Sequence, residues 1–316
     1  MGAVETAFAS PTKPGIYEGL PIEVYHGSGL SISKSGLDDL ARCPAMFYAL
    51  HLDPDRPART EKPGQLEGNL AHCALLEPAE FNKRYAVLPK DAPNRPTPAQ
   101  WKAVNSNESS TAAKAWWTTW NKEHAGARII NAEQRHAAVC QAHSMRSLQN
   151  VWGGLSMAEM LKRGKTEVSA YWVDQLTGVL CRCRPDLVVP INARQVVLVD
   201  VKTYSDATRR EFLRQVVRKR YHVQDSFYSE GWMRATGQEV LAFVFVVVED
   251  KWPFLAASYQ LGDESRHEGA LQHRDQIDTY AECLRTNTWP SYTTATETVD
   301  LPPYAITSQE VEFSYE

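Results

Sequence analysis

The sequence predicts an α/β protein, and three observations carry that prediction. Over the first half, apolar residues recur at helical spacing; from Glu167 the period changes to two; after Lys202 a helical stretch leads back into two further apolar strands. At 316 residues and 43% hydrophobic, the chain can bury a large core, as one big domain or two small ones.

Taken in order, residues 1–20 are punctuated by Pro and Gly and are expected to form a flexible N-terminal segment. "SKSGLDDLARCPAMFYALHL" reads as one helix opened by Ser33 or Ser35, with Asp38 placed for a capping box. "EGNLAHCALLEPAEF" reads as a second, with Leu70, Ala74 and Leu75 on its apolar face and Pro78 past its end. Residues 88–112 are loop-like with a short helical piece, and 88–130 is taken as an insertion of loop and helix. "INAEQRHAAVCQAHSMRSLQ" restores helical periodicity.

"EVSAYWV", the turn "DQLTG" and "VLCRCRPDLVV" predict a hairpin, and "QVVLVDVKT" a third strand after the loop "PINAR". A long helix is expected over about 206–236, closed by Gly237. The strands "VLAFVFVVVE" and "FLAASYQL" follow, then a last helix over about 263–286 and an irregular tail, 306–316. There is no internal repeat.

No N-terminal segment joins basic residues to an apolar run, and no window approaches the roughly 18 apolar residues of a membrane span. A cytoplasmic protein is expected. Its six cysteines (Cys43, Cys73, Cys140, Cys181, Cys183, Cys283) are scattered, which predicts reduced thiols, with Cys181 and Cys183 inward on one strand face. No second Cys or His pair follows to complete a zinc site. The formal charge of −4 disfavours general coating of nucleic acid, so local charge must decide.

Local charge concentrates at strand ends. Alternation puts Asp200 and Lys202 on one face of their strand, with Val199 and Val201 turned into the core. The same parity aligns Arg182, Arg184 and Asp186 on the preceding strand, a carboxylate flanked by guanidinium groups able to meet phosphate. If the strands are neighbours, Asp186 and Asp200 can share one cation, and carboxylate oxygens suit Mg²⁺ or Mn²⁺. Lys202 would then orient a water and balance phosphoryl charge. A solvated salt-bridge ladder is the other reading this spacing allows.

Gln224 and Tyr228 lie four apart, on one helical face. Just before them, "RREFLRQVVRKR" places six basic residues and one acid in positions 209–220. Arg209, Arg210, Arg214, Arg218, Lys219 and Arg220 either track a DNA backbone or form an ordinary solvated face.

The ordered motifs "GNLAHCALLEP", "CRCRPD", "DVKT" and "QDSFY" resemble the PD-(D/E)XK nuclease superfamily, most closely its RecE-type branch, the exodeoxyribonuclease VIII-like recombination exonucleases of phages and prophages. The resemblance spans about residues 20–305, including "SISKSGLDDLARCP" and "WPSY", and implies a single nuclease domain over 21–305. That domain would have a restriction-endonuclease-like core, a central mixed β-sheet flanked by helices. It implies catalytic roles for Asp186, Asp200, Lys202, Gln224 and Tyr228. Metal ligation would fall to His72, Asp186, Asp200 and the Val201 carbonyl. Arg182, Arg184, Arg214 and Arg218 would contact DNA, and Glu167 could join the acidic site through a water.

The function so implied is a Mg²⁺-dependent exonuclease, with Mn²⁺ able to substitute, acting on double-stranded DNA ends from 5′ to 3′. It would leave 3′ single-stranded tails for a single-strand annealing partner and would work as a homo-oligomeric ring of three or four subunits. An endonuclease of the same fold and a non-catalytic DNA-binding or annealase-docking module are the alternatives. The iron–sulfur cluster of some relatives needs three late cysteines, and only Cys283 is there; no Walker A loop is present for ATP.

Overall fold

The run Glu239–Glu249 has no polar face, so the sheet it joins must be covered on both sides. That is the arrangement in the computed structural model, which describes residues 9–306 apart from 28, 58, 59, 105, 106, 294, 303 and 304.

The chain opens with β1 (Gly15–Tyr17), α1 (Ile22–Tyr25), α2 (Lys34–Arg42) and α3 (Pro44–Phe47). Ser33 caps α2 by accepting from the Gly36 N–H, whereas Asp38 pairs with Lys34 at 2.6 Å and Arg220 at 3.1 Å instead of completing a capping box. The single helix expected here breaks at Cys43, because Pro44 has no N–H to continue the ladder and starts a new helix. Next come α4 (Gln65–Leu76), α5 (Pro78–Arg84), β2 (Tyr85–Val87), α6 (Pro98–Lys102), α7 (Glu108–Glu123), β3 (Arg128–Ile130), α8 (Ala132–Arg146) and α9 (Met157–Arg163). The 88–130 stretch is thus two helices, between β2 and a β3 that pairs with it in parallel.

The strand-rich half holds β4 (Lys165–Thr166), β5 (Ser169–Val173), β6 (Leu180–Cys183), β7 (Leu187–Asn192) and β8 (Gln195–Tyr204). It continues with α10 (Arg209–Lys219), α11 (Tyr221–Thr236), β9 (Glu239–Glu249), β10 (Ala256–Tyr259) and α12 (Asp263–Thr286). The main sheet runs β10-β9-β8-β7-β4, with β8 and β9 parallel and the other pairs antiparallel; a second sheet runs β1-β5-β6. This is the mixed α/β architecture the sequence predicts.

Three expectations are corrected in detail. "VLCRCRPDLVV" is two strands in two sheets, since Pro185 cannot donate to a ladder and the chain changes sheets there. The helix over 206–236 is two helices, because Arg220 takes a left-handed φ of 54° between α10 and α11. Residues 9–20 are tied in: β1 pairs with β5, and Ser10 Oγ lies 3.0 Å from the Tyr171 hydroxyl. Residues 1–8 and 307–316, the rest of the expected flexible start and tail, lie outside the described residues.

One face of the main sheet, with Val196, Leu198, Phe243 and Phe245, packs on Phe212 of α10, Phe227 of α11 and Tyr280 of α12. The other, with Val197, Val199, Val201 and Val244, packs on Leu70 and Leu75 of α4 and Met145 of α8. Each such fully buried side chain stabilises by about 1.5–3 kcal/mol. Cys181 and Cys183 are fully buried in the first of these cores. At Gly269 a Cβ would stand 2.0 Å from the His222 carbonyl oxygen, so only glycine lets α12 approach α11 this closely. Among the described residues no helix is long and apolar enough to cross a membrane.

Candidate active site

The last residues of β8 stand between the two layers. Asp200 and Lys202 share the face toward α10 and α11, and Val199 and Val201 pack toward α4 and α8. Asp200 is only 3% exposed, because both faces of the sheet are covered. Its carboxylate accepts from Gln224 Nε2 of α11 at 2.7 Å and is ion-paired through Oδ1 with the Lys202 ammonium. Lys202 Nζ lies 4.8 Å from the centre of the Tyr221 ring.

β7 delivers Asp186 to the same place. Leu187 pairs with Val199, so the residue before it falls beside the end of β8, and the Val201 N–H donates to Asp186 Oδ2 at 2.6 Å. Glu167 takes a left-handed φ of 56° between β4 and β5, and its N–H donates to the Asp186 carbonyl at 3.1 Å. His72 of α4 completes the group: Nε2 lies 3.1 Å from Asp186 Oδ1 and 3.3 Å from Glu167 Oε1. One donor atom from each of His72, Glu167 and Asp186 falls within 4.8 Å of the others. A cleft of about 290 Å³ opens beside them, lined by Gly64, Asn69, His72, Tyr221 and Val201 to Tyr204.

The electrostatics follow from crowding carboxylates in a buried place. Burial pushes Asp200 up to about 6, with repulsion from Asp186 adding to it and Lys202 working against it. Glu167 is also raised, by burial and then by Asp186, against His72 and Arg184. Burial opposes ionisation of Asp186 too, yet the His72 charge, Lys202 and the Val201 N–H hold it below the usual carboxylate range. Burial likewise opposes charge on His72, but Asp186, Glu167 and Asp200 hold its pKa up at about 9. Lys202, buried against Asp200, stays firmly protonated.

Other sequence-nominated residues are placed differently from one another. Tyr228 sits one turn beyond Gln224, half-buried, its ring edge-on to Phe243 at 6.0 Å; burial, then Tyr25 and Asp200, drive its pKa well up. Arg182 is 7% exposed, with Nη1 donating to Ser10 Oγ and Ser31 Oγ and the guanidinium group lying over Tyr25. The sheet change at Pro185 breaks the parity that would have aligned it with Asp186. Arg184 instead clamps the site, its Nε donating to Glu167 Oε2 at 2.7 Å and Nη1 to the Leu20 carbonyl. Arg209, Arg210, Arg214, Arg218 and Lys219 are exposed on α10, while Arg220 is engaged by Asp38, Leu37 and Gln272. Sequence reasoning missed Tyr221 and Arg184's hold on Glu167; the basic-aromatic junction "KRYH" was the one signal for Tyr221.

Against this geometry, residues 33–302 match the model of a PDDEXK-like domain of unknown function, DUF3799. The chain belongs to that family. It is therefore a PDDEXK-like protein. No curated protein sequence matches it. Among solved structures it is similar to a candidate exonuclease from Eubacterium rectale, at 13% identity over 86% of this chain and 90% of that one, with a TM-score of 0.49. An alkaline exonuclease from Laribacter hongkongensis is similar at 12% identity over 60% of this chain and 89% of its own, with a TM-score of 0.24.

Proposed function

We propose that this PDDEXK-like protein is a Mg²⁺-dependent exonuclease, with Mn²⁺ able to substitute, that degrades double-stranded DNA from its ends. The reading is carried by the meeting of Asp186, Asp200 and Lys202 at the end of β8, with His72 and Glu167 against Asp186 and Gln224 on Asp200. The 5′ to 3′ polarity, the 3′ tails and their delivery to an annealing protein rest on the resemblance to RecE-type enzymes.

The donors fit a divalent cation. Glu167 and Asp186 offer oxygens and His72 a nitrogen within 4.8 Å, and burial together with repulsion from Asp186 raises Glu167 and Asp200, a strain that a cation between the carboxylates would relieve. Asp200 and the backbone carbonyl of Val201 are proposed to complete the set. A cation held there polarises a phosphoryl oxygen and lowers the pKa of a bound water.

The chain's own residues do the rest. Lys202 donates to the attacking water or to a phosphate oxygen and offsets charge that builds on phosphorus. Gln224 fixes one oxygen of Asp200, Val201 one oxygen of Asp186, and Arg184 one oxygen of Glu167. Tyr228, one turn past Gln224, is proposed to face the same phosphate. Exposed Arg209, Arg210, Arg214 and Arg218 supply phosphate contacts along the approaching duplex. With a chain charge of −4, sustained hold on DNA is assigned to a closed ring of three or four subunits.

Linear duplex labelled at either the 5′ or the 3′ end, with and without Mg²⁺, tests the reading. Early release of 5′ label in Mg²⁺ alone is expected, and release of 3′ label first reverses the polarity. Light scattering tests the ring; a monomer removes it.

A further inference from the structure

The turn between β9 and β10 leaves one large aromatic outside both cores. Trp252 is 82% exposed, more than any other aromatic side chain among the described residues. Its surroundings are fixed. Phe254, two residues on, is turned into the protein at 8% exposure, adopts a φ of 58° and donates its N–H to the Lys251 carbonyl at 2.7 Å. A left-handed backbone is unfavourable for a bulky residue, so it is the burial of Phe254 that holds the turn in one shape. The stem is pinned as well: Glu249 N–H donates to Leu255 O at 2.9 Å, Asp250 N–H to Tyr204 O at 2.7 Å, and Gln141 Nε2 to Glu249 O at 2.9 Å.

This turn stands at the catalytic end of the sheet. β8 and β9 run parallel, with Lys202 opposite Val247, Thr203 opposite Val248 and Tyr204 opposite Glu249. Val201 to Tyr204 form the strand wall of the cleft. Trp252 follows Glu249 by three residues, one strand over and no more than about 10 Å beyond that wall. The loop from β8 to α10 is tied to the same corner, since Glu249 Oε1 accepts from the Ala207 N–H at 3.2 Å. Exposed Arg209 and Arg210 therefore begin beside it.

An exposed indole on a hydrogen-bonded turn, near exposed guanidinium groups and within about 10 Å of the strand wall of a cleft of about 290 Å³, matches the chemistry of a nucleic-acid end. The geometry points to Trp252 as a positioning residue that stacks on the terminal base pair of a duplex entering the cleft. An indole face accepts any base, because every base has a π face, which suits an enzyme that must take ends of any sequence. The inference rests on the exonuclease reading above and adds the element that seats the end.

The test uses blunt duplex with 2-aminopurine in its terminal pair, titrated in EDTA so that nothing is cleaved. Wild-type protein should quench the probe on binding; Trp252→Ala should not, and Trp252→Phe should restore most of the effect. Loss of the stack should weaken end binding by about tenfold, within the range for base–aromatic stacking. In Mg²⁺ the Trp252→Ala deficit should appear mainly in KM, with the thermal midpoint unchanged because the side chain is exposed. Equal quenching by wild type and Trp252→Ala overturns the proposal. So does a fall in molecular mass of Trp252→Ala, which would place the indole at an interface between copies. Because the probe is read without metal, a protein that quenches it yet never cuts linear duplex would refute the exonuclease reading and leave the Trp252 stack standing.

Discussion

The Val201 N–H donates to Asp186 Oδ2 at 2.6 Å, so the strand that carries Asp200 and Lys202 also fixes the carboxylate delivered by the strand before it. Charge and hydrogen bonding can be separated at this position. Asp186→Asn keeps an oxygen for Val201 and loses the charge, whereas Asp186→Ala loses both. Both should lower cleavage by at least about a hundredfold, the scale for removing one group that stabilises transition-state charge. The alanine variant should be less stable than the asparagine variant by about 1–3 kcal/mol, the cost of an orphaned buried N–H. Equal denaturant midpoints for the two would deny Val201 its structural part.

Gln224 touches Asp200 and none of the donor atoms of His72, Glu167 and Asp186. Its substitution should therefore misorient a carboxylate without deleting one. Gln224→Ala is expected to lower activity by about 10–100-fold, as for other groups that orient a ligand, and raising the Mg²⁺ concentration should recover part of the loss. Wild-type activity in Gln224→Ala would remove the residue from the site.

Arg214 and Arg218 are exposed on α10, and Arg214 has only a loose pairing at 3.4 Å with Glu211. Neutralising both should weaken DNA binding and reduce the slope of log affinity against log salt by about 1–2, near one unit for each phosphate that is no longer neutralised. An unchanged slope would leave them as a solvated face.

Asp225 supplies a pH dependence outside the metal-binding group. It is buried on α11, with Ser229 Oγ at 3.3 Å and Arg266 Nε at 3.4 Å. Burial pushes its pKa up to about 7, against the Arg266 charge. A folded-state pKa above the unfolded value near 4 means that the folded protein binds the extra proton. The stability this contributes is complete below about pH 4 and is lost as pH rises through about 7. Wild type should therefore lose more stability than Asp225→Asn between pH 5 and pH 8, by on the order of a few kcal/mol. Parallel pH profiles for the two would assign the dependence elsewhere.

What could be read in the sequence was what local spacing dictates. Strand alternation alone put Asp200 and Lys202 on one face, and helical spacing put Gln224 on the face of Tyr228; the structure adds that Asp200 accepts a hydrogen bond from Gln224. The breaks were harder. Arg220 turns the chain left-handed inside a run with unbroken helical periodicity, and a positive φ at a non-glycine leaves no mark in composition. Glu167 has the same property at 56°, which is why a residue at the head of a strand ends up beside His72 and Asp186. The surroundings of Arg182 were not legible because its partners, Ser10 and Ser31, lie more than 150 residues away, and a guanidinium near this strand looks the same in sequence whether it faces phosphate or two hydroxyls.

The most direct measurement sets linear duplex against covalently closed circular duplex of the same sequence, in Mg²⁺, with wild type and Asp200→Asn side by side. Wild type should consume the linear DNA, leave the circle intact and stop when EDTA is added, and Asp200→Asn should do nothing to either. Linear duplex left whole by the wild-type protein, or degraded equally well by Asp200→Asn, would contradict an end-dependent nuclease built on the last residues of β8.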